Sequence, residues 1–149
     1  MQIRTLSTLE CTKLLTANRA GRLACAKDGR PYVVPFHYAH ADNHLYAFSM
    51  SGKKIDWMRA NPLVSVQVDA PGTGHGWKSV IVTGRYEELP DRIGHEAQRD
   101  HAWFVLSKHF DWWEPGALKP ATTSDLQHLP HVFFRVSIAE VSGREALES

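Results

Sequence analysis

The sequence has few cysteines and no long apolar run. Cys11 and Cys25 are the two cysteines among 149 residues, and they form neither a CxxC pair nor a disulfide framework, which favours a reducing compartment. No apolar stretch is long enough to span a bilayer, and the first residues lack the apolar run of a signal peptide. We therefore expect a soluble, cytoplasmic protein with no membrane partner.

The chain also lacks a large excess of positive or negative charge. Seventeen Lys and Arg against sixteen Asp and Glu give a formal net charge of +1, a balance that disfavours nucleic acid as the main partner. Hydrophobic residues make up 43% of the chain and charged residues 22%, which is typical of a globular protein rather than a disordered one. At this length we expect a single domain that spans residues 1–149.

The motifs of several enzyme classes are missing. The chain has no GxGxxG or GxxxxGK[ST] motif for a nucleotide, no GxSxG or SxxK motif for an activated nucleophile, and no HExxH motif for zinc. His37, His40 and His44 are close in sequence, but a strand would place His37 and His40 on opposite faces, and His44 follows a turn. We expect no metal site, and no residue is marked as catalytic.

What the sequence does contain is a series of short strands joined by tight turns. A capping box of Ser7 and Glu10 predicts a helix over residues 8–19, with Gly21 as its C-cap. Alternation and turn signals predict strands within residues 22–27, 32–38, 45–48, 64–68, 77–89 and 132–138, turns at 28–29 and 42–43, and helices over 53–60 and from 90 to about 110. This order predicts a mainly β fold, an antiparallel barrel with peripheral helices. Residues 111–130 lack clear periodicity, which is typical of a lid or an interface segment.

The most informative stretch runs from residue 48 to residue 54, Phe48-Ser49-Met50-Ser51-Gly52-Lys53-Lys54. Two lysines in the first turn of a helix are unfavourable, because that end of the helix is already positive, and a bound anion would remove the conflict. The hydroxyls of Ser49 and Ser51, the backbone N–H groups and the two ammoniums are the groups that hold a phosphate. The alternative is that Asp56 simply pairs with a lysine on a solvated surface.

Two further features have both a functional and a structural explanation. Pro35 interrupts an otherwise regular strand, which indicates either an edge strand or bulge, or a backbone that faces a flat ligand. Trp77, Lys78 and Ser79 begin a strand directly after a glycine-rich loop. They could contact a polar ligand there, although tryptophan is commoner in a core or a subunit interface.

Several motifs in order carry a resemblance to a known family. They are Gly21-Arg22-Leu23-Ala24, Asp28-Gly29-Arg30-Pro31-Tyr32-Val33-Val34-Pro35, Ser49, Gly52-Lys53-Lys54, Arg59-Ala60-Asn61-Pro62, Val68-Asp69 and Ser79-Val80. Together they resemble the pyridoxamine 5'-phosphate oxidase-like flavoproteins, and most closely the branch that includes the nitroimidazole-resistance proteins. The resemblance covers roughly residues 6–90, and residues 136–143 resemble the last strand of the family.

The resemblance implies a split antiparallel β-barrel of the FMN-binding type, which binds FMN between the two subunits of a homodimer. Phe48 and Ser49 would reach the ribityl and phosphate groups, and Lys53 and Lys54 would hold the phosphate. The residues that would lie against the flavin, from the second and fifth predicted strands, are Val33, Val34, Pro35, Phe36, His37, Tyr38, Trp77, Lys78 and Ser79.

The chain also departs from the oxidases that make pyridoxal phosphate. Arg135-Val136-Ser137-Ile138 does not show their C-terminal Arg-x-His element, and Tyr38 stands where they place a substrate-binding lysine. We therefore expect a small FMN-dependent oxidoreductase that passes electrons or hydride from a reduced nicotinamide to an unidentified acceptor, and not a true pyridoxamine phosphate oxidase. The alternatives are a non-catalytic flavin- or haem-binding module such as a redox sensor or carrier, a deazaflavin in place of FMN, or a structural dimer with a degenerate site.

Overall fold

The computed structural model of the chain describes residues 1–90, 92–108 and 131–148. Strands and helices follow in the order β1 (Gln2–Thr5), α1 (Thr8–Ala17), β2 (Ala20–Lys27), β3 (Arg30–His37), β4 (Ala39–Ala41), β5 (His44–Met50), α2 (Lys53–Ala60), β6 (Leu63–Pro71), β7 (Trp77–Glu88), α3 (Glu96–Leu106) and β8 (His131–Leu147). The expected mainly β class with peripheral helices is confirmed. Among the described residues, no helix is long and apolar enough to cross a membrane.

One antiparallel sheet joins the eight strands of the described part of the chain. Its order is β3-β2-β6-β7-β8-β5-β4, and β1 pairs with the end of β8. The 17-residue β8 pairs with β5, β7 and β1 along its length. The sheet curls until β3 approaches β5, with no ladder between these two strands in the described ranges. An open seam therefore runs between β3 and β5.

Two apolar clusters fill the two sides of the sheet. The larger cluster lies inside the curl and includes Leu15 and Phe134, whereas the smaller cluster packs α3 against β5 and β8 and includes Phe48 and Phe133. Phe133 and Phe134 belong to different clusters because successive side chains of a strand point to opposite faces. Both faces of β8 are therefore buried over this stretch.

Three local predictions from the sequence are confirmed. Asp28 and Gly29 both adopt positive φ angles, of 52° and 77°, in the two-residue turn between β2 and β3, as the Asp-Gly hairpin signal predicts. Helix α2 has the predicted bounds and ends before Asn61 and Pro62. Helix α1 begins with the predicted capping box, in which Ser7 and Glu10 satisfy each other's backbone N–H groups.

Gly21 is not the C-cap of α1, so that prediction is wrong. The helix ends at Ala17 with Asn18 as its C-cap, and Gly21 lies inside β2. A Cβ atom at Gly21 would lie 2.9 Å from the side chain of Val68 and would also meet the carbonyl oxygen of Gln67. The glycine is therefore needed for close strand packing, and not to end a helix.

The other corrections concern the ends of elements. The third helix begins at Glu96 and not at Pro90, because the Leu89 N–H still donates to the Phe133 carbonyl of β8, at 2.9 Å. Strand β8 continues to Leu147, well past residue 138. Its register with β7 shifts at a bulge beside Gly84, and such a shift breaks the alternation on which a strand prediction depends. The predicted lid or interface segment, residues 111–130, lies outside the described residues.

Candidate functional site

A groove of about 410 Å³ lies along the open seam between β3 and the junction of β5 with α2. This volume is in the range of small-molecule sites. Five residues predicted from the sequence meet in it, namely Val34, Pro35, Ser51, Lys53 and Lys54, and they are joined by Tyr32, Met50 and Gly52. The seam thus brings together the proline-containing strand and the start of the lysine-bearing helix.

The open edge of β3 faces this seam. The Tyr38 N–H donates to the Arg19 carbonyl at 2.9 Å, in the register that pairs β3 with β2. Because backbone groups alternate along a strand, those of Val33 and Pro35 point away from β2, towards the open edge. Pro35 therefore removes no hydrogen bond from the sheet, and the edge-strand explanation of this residue is correct. The same geometry turns two backbone carbonyls towards the groove.

The N-terminus of α2 forms the other wall of the groove. Gly52 is its N-cap. Within the described residues, no side chain at the cap position accepts a hydrogen bond from the N–H groups of the first turn. A Cβ atom at Gly52 would meet nothing within 4 Å. The positive end of the helix is therefore open beside two lysines, which is the arrangement that favours a bound anion.

The two lysines have different surroundings. The Lys53 ammonium lies over two aromatic rings, 4.5 Å from the centroid of Tyr32 and 4.8 Å from that of Trp57. Lys54 is half-buried beside the groove. Asp56, the alternative partner for a lysine, is 4.0 Å from Arg59 in an exposed ion pair.

The positive charge of the two lysines also acts on the buried thiol of Cys25 on β2. Burial raises the pKa of Cys25, while the positive charges of Lys53 and Lys54 both act to lower it. Both ammoniums therefore lie near the same part of β2. Positive charge is concentrated at the start of α2, as the sequence predicts.

Three predicted residues pack in the interior. Phe36 stacks on Tyr38 with 5.8 Å between ring centroids, and the Tyr38 hydroxyl donates to the Leu15 carbonyl at 2.9 Å. Burial raises the pKa of Tyr38. Phe48 packs against Phe133, with centroids 5.0 Å apart, in the cluster under α3.

The remaining predicted residues of β3 and β5 do not line this groove. Ser49 is buried, and its hydroxyl donates to the Met50 carbonyl at 3.0 Å. The Val33 side chain is exposed on the outer face of β3. His37 lines a separate groove of about 450 Å³ at the C-terminal end of α1, and Asp69 also lines it.

Trp77, Lys78 and Ser79 do not reach the lysines within one chain. Lys78 lines a third groove, of about 390 Å³, against α1. The Ser79 hydroxyl accepts a hydrogen bond from Gln67 Nε2 at 3.0 Å. The Trp77 side chain is 41% exposed and lies on the same outer face of the sheet as exposed Ile3, since both residues pair with Ala146.

Sequence reasoning missed the aromatic part of the site. Tyr32 and Trp57 were not among the predicted site residues, although Trp57 follows Lys53 by four positions in a predicted helix. That spacing places two side chains on one helix face and could have identified the tryptophan. The position of Tyr32 beside them depends on how β3 packs on α2, which no local signal shows.

His40 and His44 each have a partner at hydrogen-bonding distance. The ring of His40 is 2.9 Å from the Thr16 hydroxyl, and the ring of His44 is 2.7 Å from the Asp42 carbonyl oxygen. Across the described ranges, no group of three or more His, Cys, Asp or Glu side chains could hold a metal ion.

Comparison with known proteins adds three findings. Residues 7–145 match the family described as pyridoxamine 5'-phosphate oxidase. An uncharacterized protein of Rhizobium meliloti (strain 1021) is 49% identical over 146 residues, which cover 98% of this chain and 97% of that protein. The crystal structure of a FAD-binding protein from Mesorhizobium loti is 72% identical, with a TM-score of 0.82, over 99% of this chain and 100% of that chain.

A more distant structure shares the fold. It is a protein of Bacteroides thetaiotaomicron VPI-5482 that is described as a candidate 5-nitroimidazole antibiotic resistance protein. Its identity is 16% and its TM-score 0.75, over 97% of this chain and 89% of that chain. At this identity the comparison concerns the fold alone.

Proposed function

The chain belongs to the pyridoxamine 5'-phosphate oxidase family and has its split-barrel fold, and from this premise we propose that it binds a flavin nucleotide in the seam groove. The observation that carries the proposal is the start of α2. An open helix N-terminus, Lys53 and Lys54 lie together at the end of the groove. This donor set suits a phosphate, because its charges and N–H groups converge on one place.

The other wall of the groove suits the flavin ring system. Val34 and Pro35 line it, and the alternation of β3 turns backbone carbonyls to the open edge. Flat heterocycles with polar edges fit such a wall, since apolar side chains can cover the ring while backbone groups pair with its edge. The residues present therefore fit a flavin.

The sequence resemblance implies FMN as the nucleotide. The Mesorhizobium loti relative is described as FAD-binding, and FAD consists of FMN joined through its phosphate to AMP. Both nucleotides would place a phosphate at Lys53 and Lys54, so the proposed site serves either one.

We further propose that the active protein is a homodimer in which the second subunit completes the site. Trp77 and Ser79 lie on an exposed outer face that carries Ile3 and Ile81 as well. Exposed apolar residues in a group are typical of an interaction surface. Pairing of two such faces would give Trp77 and Ser79 a route to the flavin of the other subunit, which they lack within one chain, whereas Lys78 lies on the opposite face of β7, against α1.

The proposed activity is that of a small oxidoreductase with a reduced nicotinamide as donor. The bound flavin would supply the redox chemistry, and the protein would supply binding and orientation. Lys53 and Lys54 would fix the phosphate, and the β3 edge would orient the ring. The C-terminal residues Arg135-Val136-Ser137 lack the Arg-x-His element, so pyridoxamine phosphate is not the proposed substrate.

Two measurements test these proposals in turn. Fluorescence titration of the purified protein with FMN and with FAD should show saturable binding of at least one of them, and binding of neither would contradict the flavin site. Anaerobic addition of NADH or NADPH to the flavin-loaded protein should then bleach the flavin, and an acceptor such as a quinone should restore it. A protein that binds flavin but is reduced by neither nicotinamide would be a non-catalytic binding module.

A further inference from the structure

Tyr32 and Trp57 form an aromatic pair beside Lys53, and this pair indicates which group the ligand carries beyond its phosphate. We propose that the groove selects a flavin dinucleotide over FMN, and that the rings of Tyr32 and Trp57 bind its adenine. This inference rests on the proposed flavin site, because it assigns the nucleotide that the site takes.

The two rings form a corner at the start of α2. Their centroids are 5.5 Å apart and their planes are inclined by 51°. Each ring is partly buried against the main core, and each presents a face to the Lys53 ammonium, at 4.5 Å and 4.8 Å from the centroids. A solvated ammonium can reach both faces, so the faces are accessible from outside the core.

Lys53 connects the rings with the groove. It lines the groove, and its ammonium covers both Tyr32 and Trp57. A phosphate held by Lys53 would therefore lie at the end of the groove, beside the aromatic pair, of which Tyr32 also lines the groove. In a dinucleotide the diphosphate occupies this position, with the flavin on one side and the adenosine on the other.

The chemistry of the rings suits a base. Aromatic faces stack on nucleobases whatever the base, because every base has a π face. The same faces attract a cation when no base is present. Lys53 would thus rest on the rings in the free protein and turn to the diphosphate when adenine takes its place. FMN has no adenine, so Lys53 would turn to its phosphate and leave the rings without a base.

The test compares FAD and FMN affinities in ring variants. Tyr32→Leu and Trp57→Leu remove one ring each but keep an apolar side chain, and Tyr32→Phe keeps the ring. The matched control is Phe104→Leu on α3, where an exposed ring is also capped by a lysine, Lys108, at 4.3 Å. Circular dichroism establishes that each variant is folded.

The wild type and Tyr32→Phe should bind FAD about tenfold or more tightly than FMN, and each leucine variant should lose about tenfold in FAD affinity with no loss for FMN. Phe104→Leu should leave both affinities unchanged. Equal FAD and FMN affinities in the wild type, or losses that are the same for both nucleotides, would overturn the adenine site and leave the flavin site standing. Binding of neither flavin by the wild type would instead overturn the proposed function.

A second measurement needs no variant. ADP carries the adenine and the diphosphate but no flavin, so it should compete with FAD for the wild-type protein. FAD binding that ADP at high concentration does not displace would overturn the adenine site even if a leucine variant failed to fold.

Discussion

Replacement of Lys54 by alanine is the perturbation that reports most directly on the phosphate end of the groove. Lys54 is half-buried in the first turn of α2, beside the open N-cap at Gly52. A hydrogen bond between charged groups contributes about 1.5–3 kcal/mol. Lys54→Ala should therefore weaken FMN binding by roughly tenfold to a hundredfold.

Lys53→Ala should weaken FMN binding by less than the about 1.5–3 kcal/mol of a full charged hydrogen bond. The Lys53 ammonium lies over the rings of Tyr32 and Trp57 in the free protein. A cation–π contact contributes about 0.5–1 kcal/mol at an exposed site. Lys53 must give up this contact to bind the phosphate, so its net contribution to affinity is reduced by about that amount.

The assay is a pair of titrations, one with FMN and one with riboflavin, which lacks the phosphate. Lys54→Ala should weaken FMN binding and leave riboflavin binding unchanged. Lys13→Ala is the matched control, since Lys13 lies on α1 and lines a different groove. Equal losses for FMN and riboflavin, or no loss for either, would refute the assignment of Lys54 to the phosphate.

Three further predictions concern the scaffold. Gly21→Ala should lower the free energy of unfolding by about 1–3 kcal/mol in urea, because its Cβ would meet Val68 at 2.9 Å, whereas Gly52→Ala projects into open space; equal losses in the two variants would contradict this packing. The hydrogen bond from Arg4 lowers the pKa of Glu10 to about 2, so the stability that Glu10 contributes is present above pH 4.5 and lost as the pH falls towards 2. Glu10→Gln should therefore reduce the pH dependence of the free energy of unfolding over this range, measured in urea. An unchanged pH dependence would be inconsistent with the ion pair. Cys11 and Cys25 are both buried, and burial raises the pKa of each thiol; a thiol reagent should titrate none in the native protein and two after unfolding, and rapid native reaction would show that the core is open.

The sequence predicts well those features that depend on neighbouring residues. The bounds of α2 follow from the Asn61-Pro62 stop, and the β2–β3 turn follows from Asp28-Gly29. The concentration of positive charge at Lys53 and Lys54 follows in the same way. Each of these features is set by interactions within a few residues of the chain, so a local pattern is sufficient.

Features that depend on strand order are harder to predict. Pro35 lies at an open edge because β3 ends the sheet, and the long-range pairing of β2 with β6 decides this. Phe36 and Phe48 pack in the interior although the family resemblance assigns whole runs of residues to the flavin. Alternation sends every second side chain to the opposite face, and only the packed sheet determines which face meets the groove.

The most direct test of the account is a visible absorption spectrum of the purified protein, recorded before and after denaturation and after addition of FMN or FAD. The account predicts two flavin bands and the release of one flavin per chain, identified by chromatography of the supernatant. A Soret band, or a colourless protein that takes up neither FMN nor FAD, would contradict a flavin site at Lys53 and Lys54.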